Sequence, residues 1–255
     1  MGPDLVIVVL AAFGAGLVDA MVGGGGLIQL PALLAAYPAT PPAVLLGTNK
    51  FASILGTGSA VLRFARRVRI PWRALLPLVP VVFTGALGGA YLATAVPPDL
   101  FRPLVPVMLA VVLGYVLWRK DLGAVHAPLA LGPGRLLLAA MLLGAVGFYD
   151  GFFGPGTGSF FMFLLVRLYG FDFLHSAASA RVLNVATNAG ALAWFGTRLE
   201  LLWLVAMLMA IANVAGAIVG SGLALRHGSG LVRRVFVAVV VVLIARTGWQ
   251  AYFAP

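Results

Sequence analysis

Apolar residues in this chain come in uninterrupted stretches, and several stretches are as long as a bilayer is thick. A helix needs about 20 apolar residues to cross the hydrocarbon core. The runs Leu5–Val22, Ala43–Leu62, Leu75–Val96, Leu104–Trp118, Leu136–Phe153, Ala177–Phe195, Leu201–Leu225 and Val235–Ala251 approach or pass that length. Only 9% of the 255 residues are charged, against roughly a quarter in a soluble domain. That is too little polar material to cover a water-facing surface. The expected fold class is all-α: a polytopic membrane protein with about eight transmembrane helices plus broken or re-entrant segments.

The formal net charge of +10 does not point to nucleic acid. The charges fall mainly between the apolar runs, as in the cytoplasmic Lys/Arg excess of membrane proteins. The first run lacks the basic n-region of a cleavable signal peptide, and its glycine pattern recurs later, so it is taken as mature protein. With no cysteine there are no disulfides or thiolate metal sites. His126, His175 and His227 show no metal-ligand spacing. No metal or cofactor is expected.

The chain repeats itself. Displacing it by 131 residues sets Gly16 on Gly147, Asp19 on Asp150, Gly23 on Gly154, Gly25 on Gly156, Lys50 on Arg181, Trp72 on Trp203 and Arg102 on Arg233. Apolar matches are cheap in such a composition; Asp, Trp and Arg in one register are not. Two transmembrane repeats, 1–120 and 135–255, are expected, joined by a linker at 121–134. Positive charge changes ends between them. "RFARRVRIPWR" carries five arginines in the first copy while its counterpart near Arg198 and Glu200 is neutral, and "LRHGSGLVRR" is basic where "VPPDLFR" is not. Under the positive-inside rule this favours inverted over parallel copies. Inversion needs an odd number of crossings per copy, which the short runs "LIQLPALLAAY" and "SFFMFLLVRLY" supply as half-helices.

Each short run follows a glycine cluster, "GGGG" (Gly23, Gly24, Gly25, Gly26) and "GPGTGS" (Gly154, Gly156, Thr157, Gly158 with Pro155). Glycine and proline disfavour continuous helix, and in hydrocarbon a helix is interrupted only where it lines a cavity or packs in protein. Paired interruptions are a sequence pointer to a transporter's central site, where the new helix N-terminus suits an anion. By contrast, Gly85–Gly89 and Gly216–Gly220 have the spacing of close helix packing.

Intramembrane ionisable residues pair or serve a pathway. Asp19, Lys50, Asp150 and Arg181 make two repeat-related acid/base sets. Asn49 adjoins Lys50, and Arg181, Asn184 and Asn188 fall on one helix face. Cations with amide and hydroxyl donors suit an oxyanion, and Asp19 and Asp150 are candidates to carry a coupling proton. The plainer alternative is that the aspartates only neutralise the two cations or cap the broken helices.

The motifs "GLVDAMVGGGG", "PALLA", "GTNK", "GFYDGFFGPGTGSF" and "ARVLNVATN" resemble those of the sulfite exporter TauE/SafE family, in its YfcA-like branch, over essentially the whole chain. The resemblance implies a multi-pass permease of the bacterial inner membrane for sulfite, organosulfonates or related organic anions, driven by ion gradients. Arg181 stands where that branch often has lysine. The expected function is secondary transport of a small anion at a midplane site between the repeats. An anion channel is the alternative. An intramembrane enzyme lacks a nucleophile–base or metal constellation, and there is no Walker A loop. The bilayer and a small anion are the expected partners, and small-residue faces leave a homodimer open.

Overall fold

A computed structural model describes residues 3–95, 126–129 and 132–252. The elements among them are all helices: α1 (Pro3–Val22), α2 (Gly26–Ala36), α3 (Pro42–Ala65), the single turn α4 (Trp72–Leu75), α5 (Leu78–Ala93), α6 (Pro133–Phe152), α7 (Thr157–Tyr169), α8 (Phe173–Arg198) and α9 (Trp203–Tyr252). The expected span Leu104–Trp118 and half of the linker lie outside the described residues. The last two expected spans fall within α9, which is two helices joined at a kink where Gly228 leaves helical geometry (φ 68°, ψ −162°). Positive φ is open to glycine at little steric cost, so the chain kinks there.

At 1.5 Å per residue, a 20-residue helix is about 30 Å long, the thickness of a hydrocarbon core. Among the described residues, α1, α6 and α9 as far as Val232 are long and apolar enough to cross a membrane. Helices α3 and α8, with 24 and 26 residues, have the length but carry polar residues on their buried faces. Helices α2 and α7 have 11 and 13 residues, about 16 and 20 Å. These are the short segments expected after each glycine cluster. Large apolar side chains point outward: Leu10, Leu204 and Ile211 are 66%, 72% and 70% exposed. Such a surface suits lipid, not water.

Between helices in lipid the hydrophobic effect supplies little drive, and close van der Waals packing takes its place. Glycines make that packing here. Helix α1 lies along α9, and α6 lies along α5. In the first pair Gly16 abuts the carbonyl of Asn213, Gly216 that of Phe13, and Gly220 that of Leu17. In the second pair Gly147 abuts Val82, Gly85 abuts Gly144, and Gly89 abuts Phe148. A β-carbon at any of the six would collide with the facing backbone. Each contact in one pair becomes a contact in the other on displacement by 131 residues. The opening helix before each glycine cluster therefore packs against a helix from the other half of the chain.

Candidate functional site

The two glycine clusters meet. Gly23 ends α1 with φ 82°, and its backbone lies against that of Gly158, at the start of α7, so closely that neither position has room for a β-carbon. A β-carbon on Gly26 would sit 3.5 Å from Pro155 Cα. The Ser159 hydroxyl crosses the junction to donate to the Val22 carbonyl at 2.9 Å. Side chains brace the second break: the Tyr149 hydroxyl donates to the Pro155 carbonyl at 2.7 Å, and the Thr157 hydroxyl to the Gly154 carbonyl at 2.6 Å. Gly154 takes φ 92°, and a β-carbon there would fall 2.9 Å from Lys50 Nζ. A glycine brings the main chain up to the cation.

The helix starts present fewer open donors than the sequence suggests. The N–H groups of Leu27, Ile28 and Gln29 close turns onto Gly24 and Gly25, and those of Thr157, Ser159 and Phe160 onto Gly154 and Gly156. Tight first turns are a common way to satisfy orphan N–H groups.

A cavity of about 20 Å³ lies at the crossing, room for about one water-sized species. Of the expected site residues, Asp19, Gly23, Gly25, Gly26, Asn49, Lys50, Asp150, Gly154, Gly158, Asn184 and Asn188 line it. Gly24, Gly156, Thr157 and Arg181 do not; the first three shape the two breaks from behind. Gln29, Ser53, Thr57 and Asn213 also line the cavity and were missed. Asn213 carried a usable signal, as an isolated amide in the apolar run of α9. Its Nδ2 donates to Gln29 Oε1 at 2.8 Å, tying α9 to the half-helix α2.

Lys50 finds its partner far along the chain. Lys50 on α3 and Asp150 on α6 form a buried ion pair at 2.8 Å, each side chain 3% exposed. Asp19 accepts from the Thr57 hydroxyl at 3.1 Å. Arg181 is fully buried behind the cavity, its Nη2 3.9 Å from Met162 Sδ, with Nε and Nη1 lacking hydrogen-bond partners. The expected shared surface of Arg181, Asn184 and Asn188 is therefore incomplete. Asn188 Nδ2 donates to Asn184 Oδ1 at 2.7 Å, while the Arg181 guanidinium is turned toward Met162 on α7. The lining carries two carboxylates and one ammonium, where two cations were expected. Asp150 Oδ2 and Asn49 Oδ1 are buried without partners, leaving acceptor capacity at the cavity.

The histidines differ from their spacing too. Folding brings His126 and His175 together, rings stacked with centroids 3.7 Å apart, beside Asp172. Burial lowers the His126 pKa from its ordinary value, the neighbouring His175 adds to this, and Asp172 opposes it.

Interrupted helices crossing over a small polar cavity, inside a bundle with an apolar exterior, are the architecture of a membrane transporter. The sequence profile of the family described as "Sulfite exporter TauE/SafE" matches residues 8–247, and the chain belongs to that family. It is 38% identical over 242 residues to the probable membrane transporter protein ORF9 of Sinorhizobium sp, covering 95% of this chain and 91% of that one. It is 34% identical over 254 residues to a probable membrane transporter protein of Haemophilus influenzae, covering 98% of both. With the probable membrane transporter protein YfcA of Escherichia coli K12 it shares 34% identity over 238 residues, 93% of this chain and 87% of that one. No solved structure matches. The chain is a membrane transporter, not an enzyme.

Proposed function

We propose that the chain is a multi-pass secondary transporter of the bacterial inner membrane that moves a small anion of the sulfite and organosulfonate class by alternating access. The observation that carries this reading is the buried Lys50–Asp150 pair, which bridges the two halves of the chain beside the crossing of the broken helices. The two halves act as inverted copies. The glycine contacts related by the 131-residue displacement and the exchanged arginine clusters support that arrangement.

A cavity of about 20 Å³ is too small for a sulfonate. Substrate therefore enters when α2 and α7 part. Charge balance then dictates the coupling. The lining ammonium is already neutralised by Asp150, so an incoming anion competes for Lys50, and the released carboxylate takes a proton. Asp19 and Asp150 are the proton carriers in this scheme.

The test is a thermal-shift screen of detergent-purified protein against sulfite, thiosulfate, sulfonates and carboxylates, followed by counterflow in proteoliposomes. One anion class is expected to raise the melting temperature in wild type and to lose that effect in Lys50→Ala. Stabilisation that persists in Lys50→Ala, or counterflow without trans-stimulation, overturns the proposal.

A further inference from the structure

At one end of the bundle, outside the cavity, three metal-ligating side chains converge from two distant parts of the sequence. Asp172 is the N-cap of α8, and its Oδ1 accepts from the His175 backbone N–H at 2.7 Å. Its Oδ2 lies 3.0 Å from His175 Nδ1. His126 comes from the linker between the two halves, held there by backbone hydrogen bonds from Ala127 to Gly170 and from Leu129 to Tyr169. Its Nδ1 lies 3.5 Å from the Asp172 backbone nitrogen. One ligand atom from each of the three residues falls within 4.8 Å of the others.

We propose that His126, Asp172 and His175 form a binding site for a divalent transition metal of the zinc type, fastening the linker to the start of α8. Two imidazoles and one carboxylate make a borderline N₂O donor set suited to Zn²⁺, and three protein ligands leave a fourth tetrahedral position for water. The distances fit. Ligands about 2.0–2.1 Å from a tetrahedral zinc lie roughly 3.3–3.5 Å from one another, within reach of small side-chain rotations here. Asp172 can serve both the metal and the helix: Oδ1 caps the helix and also lies 2.9 Å from His175 Nδ1, and Oδ2 takes the metal in place of its 3.0 Å contact with that same nitrogen. The stacked rings also suit a metal better than two protons, since paired imidazolium ions at 3.7 Å would repel. His126 is exposed and His175 and Asp172 half-buried, so an ion reaches the site from solvent without passing through the bundle.

The function of such a site is to control the linker. It joins the two halves, and its residues 126–129 pack where α7 gives way to α8. Metal held there crosslinks the connection to α8, at the end of α7 remote from the cavity. This site is independent of the anion reading, because none of its ligands lines the cavity.

The chain has three histidines and no cysteine, which makes the test clean. Protein purified with a tag free of histidine is titrated with Co²⁺, followed by its visible d–d absorption, and with Zn²⁺, followed by calorimetry. One equivalent per chain is expected, with an intense tetrahedral-type cobalt spectrum. His126→Ala and His175→Ala should each weaken binding at least tenfold, and His227→Ala should leave it unchanged. Exposed His126 makes His126→Ala a variant that keeps the fold, and its melting temperature in EDTA should equal that of wild type in EDTA. Wild type alone should gain melting temperature on adding Zn²⁺. Absence of saturation near one equivalent, or unchanged binding in the His126→Ala/His175→Ala double variant, overturns the proposal.

Discussion

Replacing Asp150 with asparagine tests the site at its most consequential contact. The change keeps side-chain volume and removes one charge from a pair 2.8 Å apart and 3% exposed on each side. With an effective dielectric of about 20, the attraction at 2.8 Å is about 6 kcal/mol. Much of that offsets the desolvation of two ions, so the pair itself adds little net stability. Breaking it differs, because Lys50 is then left charged, buried and unpaired, at a cost of about 3–5 kcal/mol. For a chain of this size each kcal/mol moves the melting temperature by about 2–4 °C, so Asp150→Asn should lower it by roughly 6–20 °C. Lys50→Met should do similar damage by stranding Asp150. The double variant should recover most of the loss, since replacing a whole buried pair by neutral groups is often close to neutral. The chain's five tryptophans provide a fluorescence melt in detergent, and proteoliposome uptake provides the functional readout. Transport should fail in all three variants, including the stable double. A single variant within about 1 °C of wild type, or a double variant as damaged as the sum of the singles, would refute the reasoning.

Two further tests address the frame around the pair. Gly23→Ala forces a β-carbon into the Gly158 backbone at positive φ, which should destabilise the protein by about 2–5 kcal/mol. Gly14→Ala, with open space around the added carbon, should be neutral or stabilise by up to about 1 kcal/mol; equal melting temperatures for the two variants would contradict the crossing. Asn213→Leu strands the Gln29 amide, whose Nε2 already lacks a partner, and should cost about 1–3 kcal/mol. Adding Gln29→Leu should restore part of that in the same melt, and no recovery would mean that the amide pair does not couple α2 to α9.

Hydropathy and glycine placement made most of the helices legible, down to the half-helices, because lipid leaves an apolar run few alternatives to a helix. The meeting of the two breaks followed from their matched positions. Partner choice was hidden. Lys50 stands 31 residues from Asp19 and 100 from Asp150, and nothing local says that the distant aspartate is the one it pairs with. Arg181 shared a sequence register with Lys50 but not an environment, because Met162 and the body of α7 close over it. Periodicity sets it on the same side of α8 as Asn184 and Asn188, but not which neighbour its long side chain meets there. The histidine cluster was invisible for a related reason: ligand spacing is a local signature, while His126 and Asp172 are joined only by the fold.

The glycine-lined exchange of opening helices has a consequence for how the protein is made. Until α9 leaves the ribosome, α1 has only its lesser contacts with α2 and α3 and must wait with its narrow glycine seam exposed to lipid. Assembly is thus postponed until nearly the whole polypeptide has been inserted, and a nascent chain stalled after α5 would hold two helices, α1 and α5, each still seeking a mate not yet synthesised.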